Sequence, residues 1–385
     1  MKKIFLNIAV IIMTLFMSAV ADDTKKSPLD GIKLSALGYF DYSNGKTGLA
    51  GDEDTSYNQF TLKRGYFTLE KKMESWIGMR LTMDLTQDDK GDYKIRQKYF
   101  YGTLVPKDAG IFTGMKAELG LGHIPWLDFE EHINPYRSQG TMFIERAGVL
   151  NSADLGVSLQ GGFGGKLEEA SKKTGNSHYD GRYGSWHVGI YNGSGYHARE
   201  NNNNKVGELR LTFRPLADVA PGLQVSYFGV MGKGNLVDTL ELPNYFVHLG
   251  MVSYEHPMLI LTGQYLMTEG NAKGEWVDSN GDALKTQGYS AFANVKIPRT
   301  DYKFSIFGRY DHFDTDSDNK VAPDKTAYNT IIGGVSYDLY NGNMIMLTFE
   351  TTDYEDNVGG MGKVPSVGKN FGKDQKVQIV YQIKI

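Results

Sequence analysis

The chain closes on "KVQIVYQIKI", Lys376 to Ile385, and the reading of this stretch decides the fold. Val377, Ile379, Tyr381, Ile383 and Ile385 alternate with Lys376, Gln378, Val380, Gln382 and Lys384, a period of two kept to the last residue. Such a period puts one set on each face of a strand. Chain ends ordinarily fray in water, so an aliphatic stripe at the carboxyl terminus calls for an apolar medium and a paired neighbour. Lipid supplies the medium. In lipid every backbone N–H and C=O must be paired within the protein, so the last strand is expected to close on the first, near Ile32–Tyr42.

The same alternation recurs upstream. "WIGMRLTMDL" sets Ile77, Met79, Leu81, Met83 and Leu85 against Trp76, Gly78, Arg80, Thr82 and Asp84. "GELRLTFR" sets Leu209, Leu211 and Phe213 against Glu208, Arg210, Thr212 and Arg214. "YKFSIFGRYD" and "NMIMLTFET" repeat the pattern around Ile306 and Leu347. Sixteen candidate strands follow from 32–42 to 375–385, those near 58–69, 94–105 and 245–255 with ambiguous faces. The connections alternate as well. Odd strands are followed by long polar segments such as "SNGKTGLAGDEDTSY" and Pro125–Leu150, and even strands by short ones such as "KKME", "EHPM" and "LYNGN". The exception is the long Gly164–Gly184 segment on the short-turn side, which this pattern does not account for. The expected fold is all-β: a transmembrane antiparallel barrel of sixteen strands, with long extracellular loops and short periplasmic turns. A secreted soluble β-sandwich is the alternative. It would have to place its polar faces outward around an enclosed core.

Composition agrees. Lys2 and Lys3 precede an apolar run to Met17, and Ala19-Val20-Ala21 offers a cleavage site. Residues 1–21 therefore read as a secretory signal peptide, too short to span as a helix, and 22–385 as the barrel domain. Without Lys2 and Lys3 the 41 basic residues fall to 39 against 45 acidic, a balance that argues against nucleic acid as a partner. No cysteine is present, so neither disulfides nor thiolate chemistry contribute. Glycine, at 46 of 385, exceeds the usual ~7%.

No catalytic motif appears: there is no G-x-S-x-G, H-E-x-x-H or phosphate loop. Glu130-Glu131-His132 has no second ligand at a metal-binding spacing, and "DSNGD" and "DTDSD" lack the Glu that completes a calcium loop. No cofactor or metal is expected. The inner faces instead carry charge of both signs: Lys33, Arg80, Arg96, Lys98, Arg210, Lys303 and Arg309, with Asp84, Glu118, Asp154, Glu208 and Glu350. Charge is tolerated facing a wet lumen and sets ion preference there, although any one of these residues could instead pair across the wall. The segment after the fifth strand, about 125–150, is long and rich in aromatic residues. It is expected to fold inward as the third loop and narrow the lumen through Glu130, Glu131, Arg137, Glu145 and Arg146.

The order of motifs resembles the phosphate-selective porin O/P family. The likeness runs through "FTLKRGYF", "ELGLGHIPW", "FIERAGV", "DLGVSLQGGF", "QGYSAFANVKIP", "FGRYDHFDTD" and the closing strand. It implies a sixteen-stranded homotrimeric outer-membrane barrel with an inward third loop. The partners expected are outer-membrane lipid, lipopolysaccharide and, through the C-terminal strand, the barrel-assembly machinery. Gln264 stands where the family often has Glu, Ile385 where the C-terminal assembly signal of outer-membrane proteins more often has Phe, and inward Arg and Lys are interleaved with acids. The function read from these features is passive diffusion of small hydrophilic solutes or ions, with anions such as phosphate among them. An outer-membrane enzyme of the phospholipase or protease kind, and a surface adhesin or structural barrel, are the competing readings.

Overall fold

The computed structural model describes residues 30–49, 52–88, 90–237, 241–369 and 371–385. The expected signal peptide lies outside them. Sixteen antiparallel strands form one closed barrel, each paired with its sequence neighbours and β1 (Ile32–Leu49) with β16 (Lys373–Lys384). The closing register runs from Leu37↔Lys384 to Lys46↔Gln375, and Ala36 and Ile385 exchange both backbone hydrogen bonds, at 2.9 and 3.2 Å. The carboxyl terminus is thus the end of a paired strand.

Alternation is visible on the barrel surface. On β15 (Asn343–Tyr354) and β16, Ile345, Leu347, Phe349, Val377, Ile379 and Tyr381 face out, while Met346, Thr348, Glu350, Gln378 and Val380 are buried inside. No helix among the described residues is long and apolar enough to cross a membrane. An outward apolar band of this kind is what a lipid-facing barrel wall requires.

Three strands carry the structural reasons for their ambiguous faces. In β2 (Asp52–Lys72) the register slips at Lys63, since Tyr39 pairs with Arg64 but Phe40 with Leu62. In β4 (Tyr93–Leu104) it slips at Lys98, since Thr82 pairs with Tyr99 but Met83 with Gln97. A bulge adds one residue to one strand and shifts the phase of everything beyond it. β10 (Asn244–His256) has no bulge; its inner face is itself apolar, with Tyr245, Val247, Leu249 and Met251 buried.

Three connections differ from expectation. The stretch "SNGKTGLAGDEDTSY" is not an extended loop: pairing of β1 with β2 continues to Leu49↔Asp52, making a long hairpin. The segment after β6 (Ala153–Phe163), on the turn side, contains a short helix and folds back against the barrel's contents. The connection from Gln87 to Tyr93, on the long-loop side, is also short, while the turn between Tyr340 and Asn343 is a two-residue one with Asn341 and Gly342 both at positive φ.

Between β5 (Phe112–His123) and β6 lies the segment 124–152, with helices α1 (Leu127–Ile133) and α2 (Phe143–Arg146). Within β5, Gly120 at φ +128° sits where an added Cβ would come 2.6 Å from the Phe100 carbonyl oxygen. The segment's apolar side chains (Ile124, Trp126, Leu127, Phe129, Ile133, Met142, Phe143 and Ile144) join inward residues such as Phe228, Val247, Leu249 and Phe313 in one buried cluster. The apolar inner face of β10 exists because this segment covers it.

Candidate functional site: the lumen beside the third loop

The third loop is fixed to several strands at once. Glu130 of α1 accepts from Gln264 Nε2 on β11 (Leu259–Glu269) at 2.7 Å and from Trp126 Nε1 at 2.8 Å. Tyr136 Oη lies 2.9 Å from Asn294 Oδ1 of β12 (Lys285–Lys296) and 3.0 Å from Ser336 Oγ of β14 (Ala327–Tyr340). Gln139 Nε2 donates to Glu350 Oε2 at 2.6 Å, and Arg146 Nη1 meets Glu350 Oε1 at 2.9 Å. Lys63 Nζ donates to the carbonyls of Ser138 and Gln139 at 2.9 and 2.6 Å. The Arg146 guanidinium packs against Gly140, where an added Cβ would lie 2.1 Å from Nη2 and displace it.

Within the loop Arg137 joins two carboxylates, Glu131 at 2.8 Å and Glu145 at 3.2 Å. Burial raises the Glu131 carboxyl above its ordinary range against the pull of Arg137. Burial likewise pushes the Glu130 carboxyl up to about 7. Asp128 moves the other way: against the cost of burial, the neighbouring His123 and His132 and the Tyr179 hydroxyl hold it below the usual carboxylate range.

The turn-side segment 164–183, with α3 (Ala170–Thr174), meets α1 directly. Tyr179 Oη donates to Asp128 Oδ2 at 2.5 Å, Asn176 Nδ2 donates to the His132 carbonyl at 3.0 Å, and His178 lies 3.8 Å from the His132 ring. This is the long connection that the alternating loop pattern does not account for.

The wall of β1–β5 is different in kind. Asp84 of β3 (Ile77–Gln87) is fully buried and accepts from Arg64 Nη1 at 2.7 Å and Arg96 Nε at 2.9 Å. Glu118, also buried, holds Lys116 at 2.7 Å and His123 at 2.9 Å. Asp41 is tied to Ser43, Thr61 and Gln378. The cations above them keep lumen exposure, with Arg64 at 24%, Arg80 at 29% and Arg96 at 30%, while Asp84 and Glu118 show 0% and 1%. Arg80 lies 5.2 Å from the Tyr99 ring centre, Arg96 5.1 Å from Tyr196, and Lys98 4.6 Å from Tyr66. Asp84 and Glu118 are therefore sealed behind Arg64, Arg96 and Lys116, whereas Arg80 pairs at 3.7 Å with Glu70, which is itself 42% exposed.

The named residues separate into three groups. Arg80, Arg96 and Lys98, with Asp84 and Glu118 behind them, belong to this wall, and Glu350 ties the third loop to it. Lys33 and Lys303 are exposed near the turn-side rim. Arg210, Arg309 and Glu208 do not line open lumen. Arg210 is wholly buried, donating to the Pro125 carbonyl and Ser185 and lying 4.2 Å from the Phe129 ring. Arg309 is buried against Asp311 and donates to the Thr141 carbonyl at 2.9 Å. Glu208 and Asp154 are buried together beside Tyr245, with Glu208 Oε2 unbonded. Alternation says "inward", and the loop then covers part of what is inward. Lys63 and Arg64 escaped the sequence reading because the bulge turns both into the barrel. The slipped phase of "TLKRGY" was the only trace of it.

No family model matches the chain, and no curated protein does. Solved structures do. An anion-selective porin from Comamonas acidovorans aligns at TM-score 0.59 and 11% identity, over 92% of this chain and 100% of its own. OmpF of Salmonella typhi, in complex with daunomycin, aligns at 0.57 and 13%, over 93% and 100%. The trimer form of OmpT, an outer membrane protein of Vibrio cholerae, aligns at 0.52 and 11%, over 92% and 100%. At these identities the likeness is one of fold: the chain has the architecture of outer-membrane porins.

Proposed function

We propose that this protein is an outer-membrane porin, a passive channel for small hydrophilic solutes with a preference for anions. The observation that carries the reading is the β1–β5 wall. Arg64, Arg96 and Lys116 there stay in contact with the lumen while their counter-charges Asp84 and Glu118 are sealed behind them, and Arg80 beside them shares an exposed pair with Glu70. The third loop supports the same reading, because its apolar face is buried on the opposite side and leaves polar residues toward that wall. A filled structural barrel or adhesin would have no use for exposed, tyrosine-backed guanidinium groups along an inner face. An enzyme would need a reactive group, and none of the described histidines sits beside a hydroxyl nucleophile and a carboxylate in a relay. Phosphate is one candidate among the anions, and a homotrimer is the proposed assembly. The name of the Vibrio cholerae neighbour's trimer form is consistent with it.

The test is reconstitution. Purified protein in planar bilayers should give stable conductance steps, and liposomes containing it should swell in small neutral solutes faster than protein-free ones. A folded barrel with neither property would contradict the channel reading.

A further inference from the structure

A cavity lies away from the β1–β5 wall, at the turn-side end of the barrel, with a volume of about 430 Å³. That is within the ~300–1,000 Å³ of small-molecule sites. Lys296 at the end of β12, Lys303 and Ser305 at the start of β13 (Phe304–Asp314), Asp338 near the end of β14 and Met344 line it below Tyr136 of the third loop. Tyr136 is immobilised: Phe307 stacks on its ring at 3.9 Å and 20°, and its hydroxyl is held by Asn294 and Ser336. The two lysines come from adjoining strands, Lys296 pairing with Ser305, and the Lys303 carbonyl accepts from the Asp338 amide at 2.8 Å. Neither ammonium makes an ion pair among the described residues, whereas most wall cations do. Asp338 is the one carboxylate in the lining.

We propose that this cavity is a binding station for small organic anions that carry an aromatic ring. A ring packs against Tyr136 and Met344, and its carboxylate is met by Lys296 and Lys303. Two ammoniums against one carboxylate leave a net positive charge, and a rigid aromatic wall beside them discriminates a ringed anion from chloride or acetate. As a station on the exit path it rests on the channel reading; as a binding site it does not.

The test uses 2-naphthoate, whose fluorescence reports binding to the detergent-solubilised full chain whether or not it conducts. The expected result is saturable binding that acetate at equal concentration does not compete, with affinity lowered at least tenfold in Lys296→Gln/Lys303→Gln. Both lysines are near the rim, so the variant keeps the barrel and its heat resistance on gels serves as the folding control. In bilayers, naphthoate added on the turn side should reduce current in the parent protein and not in the variant, with the open-channel conductance in KCl retained. Binding unchanged in the double variant, or equal competition by acetate, would overturn the proposal. Failure to conduct with binding intact would remove the channel reading and leave the site.

Discussion

Lys63 and Arg64 are adjacent in β2, yet both side chains enter the barrel. Lys63 reaches the third-loop carbonyls of Ser138 and Gln139, and Arg64 reaches Asp84. A regular strand would send one of them into lipid, at a cost of ~2–4 kcal/mol near the midplane. The bulge lets one position anchor the loop and the next line the wall. Lys63→Ala should therefore release the loop's tip, since hydrogen bonds to a charged donor contribute ~1.5–3 kcal/mol. Single-channel conductance should rise and become noisier. Arg64→Gln should leave conductance near the parent value and weaken anion preference.

Glu130 predicts a pH dependence of stability. Its carboxyl is pushed up by burial to about 7 in the folded chain, above the ordinary 4.5. The fold favours the protonated form, so this site costs nothing below pH 4.5. The unfolded chain gains by ionising as pH rises, and stability falls until the folded value near 7 is passed. The shift corresponds to a loss on the order of 3 kcal/mol. Glu130→Gln should flatten the fall in urea midpoint between pH 4.5 and 7.5. Gln264 can then turn its amide, offering Oε1 to the new donor.

The contact between the two inserted segments is also testable. Tyr179 to Asp128 and Asn176 to the His132 carbonyl join α1 to the turn-side segment. Tyr179→Phe with Asn176→Ala should increase open-channel flicker and speed proteolysis at the third loop. Reversal potential should not move, because no wall cation is touched.

The outer band gives a stability control. Leu347 faces out at 52% exposure between Val335 and Ile379. Leu347→Arg should cost ~2–4 kcal/mol in vesicles, while Leu347→Phe should be nearly neutral, both read from urea unfolding.

Much of this was legible in the sequence, and the rest was hidden for identifiable reasons. The faces of β3, β13, β15 and β16 follow directly from period two because lipid and lumen differ so sharply. Lys63 and Lys98 sit at bulges, where one extra residue reverses the phase, and the local pattern shows only that the phase slips, not where the extra residue lies. In β10 both faces are apolar, one for lipid and one for the third loop, so no contrast remains to read. Arg210 and Glu208 are correctly inward, but whether an inward residue meets water or a loop depends on contacts far apart in sequence. The 164–183 segment was unexplained because its partners, Asp128 and His132, lie some forty to fifty residues upstream in another loop.

The most direct test of the central claim is the reversal potential of the purified protein in a planar bilayer under a tenfold KCl gradient. Arg64, Arg80 and Arg96, partly exposed to the lumen with Asp84 sealed behind two of them, predict an anion-selective potential that declines in Arg64→Gln/Arg80→Gln. A cation-selective potential, or one that the double variant leaves unchanged, would contradict the account of the wall.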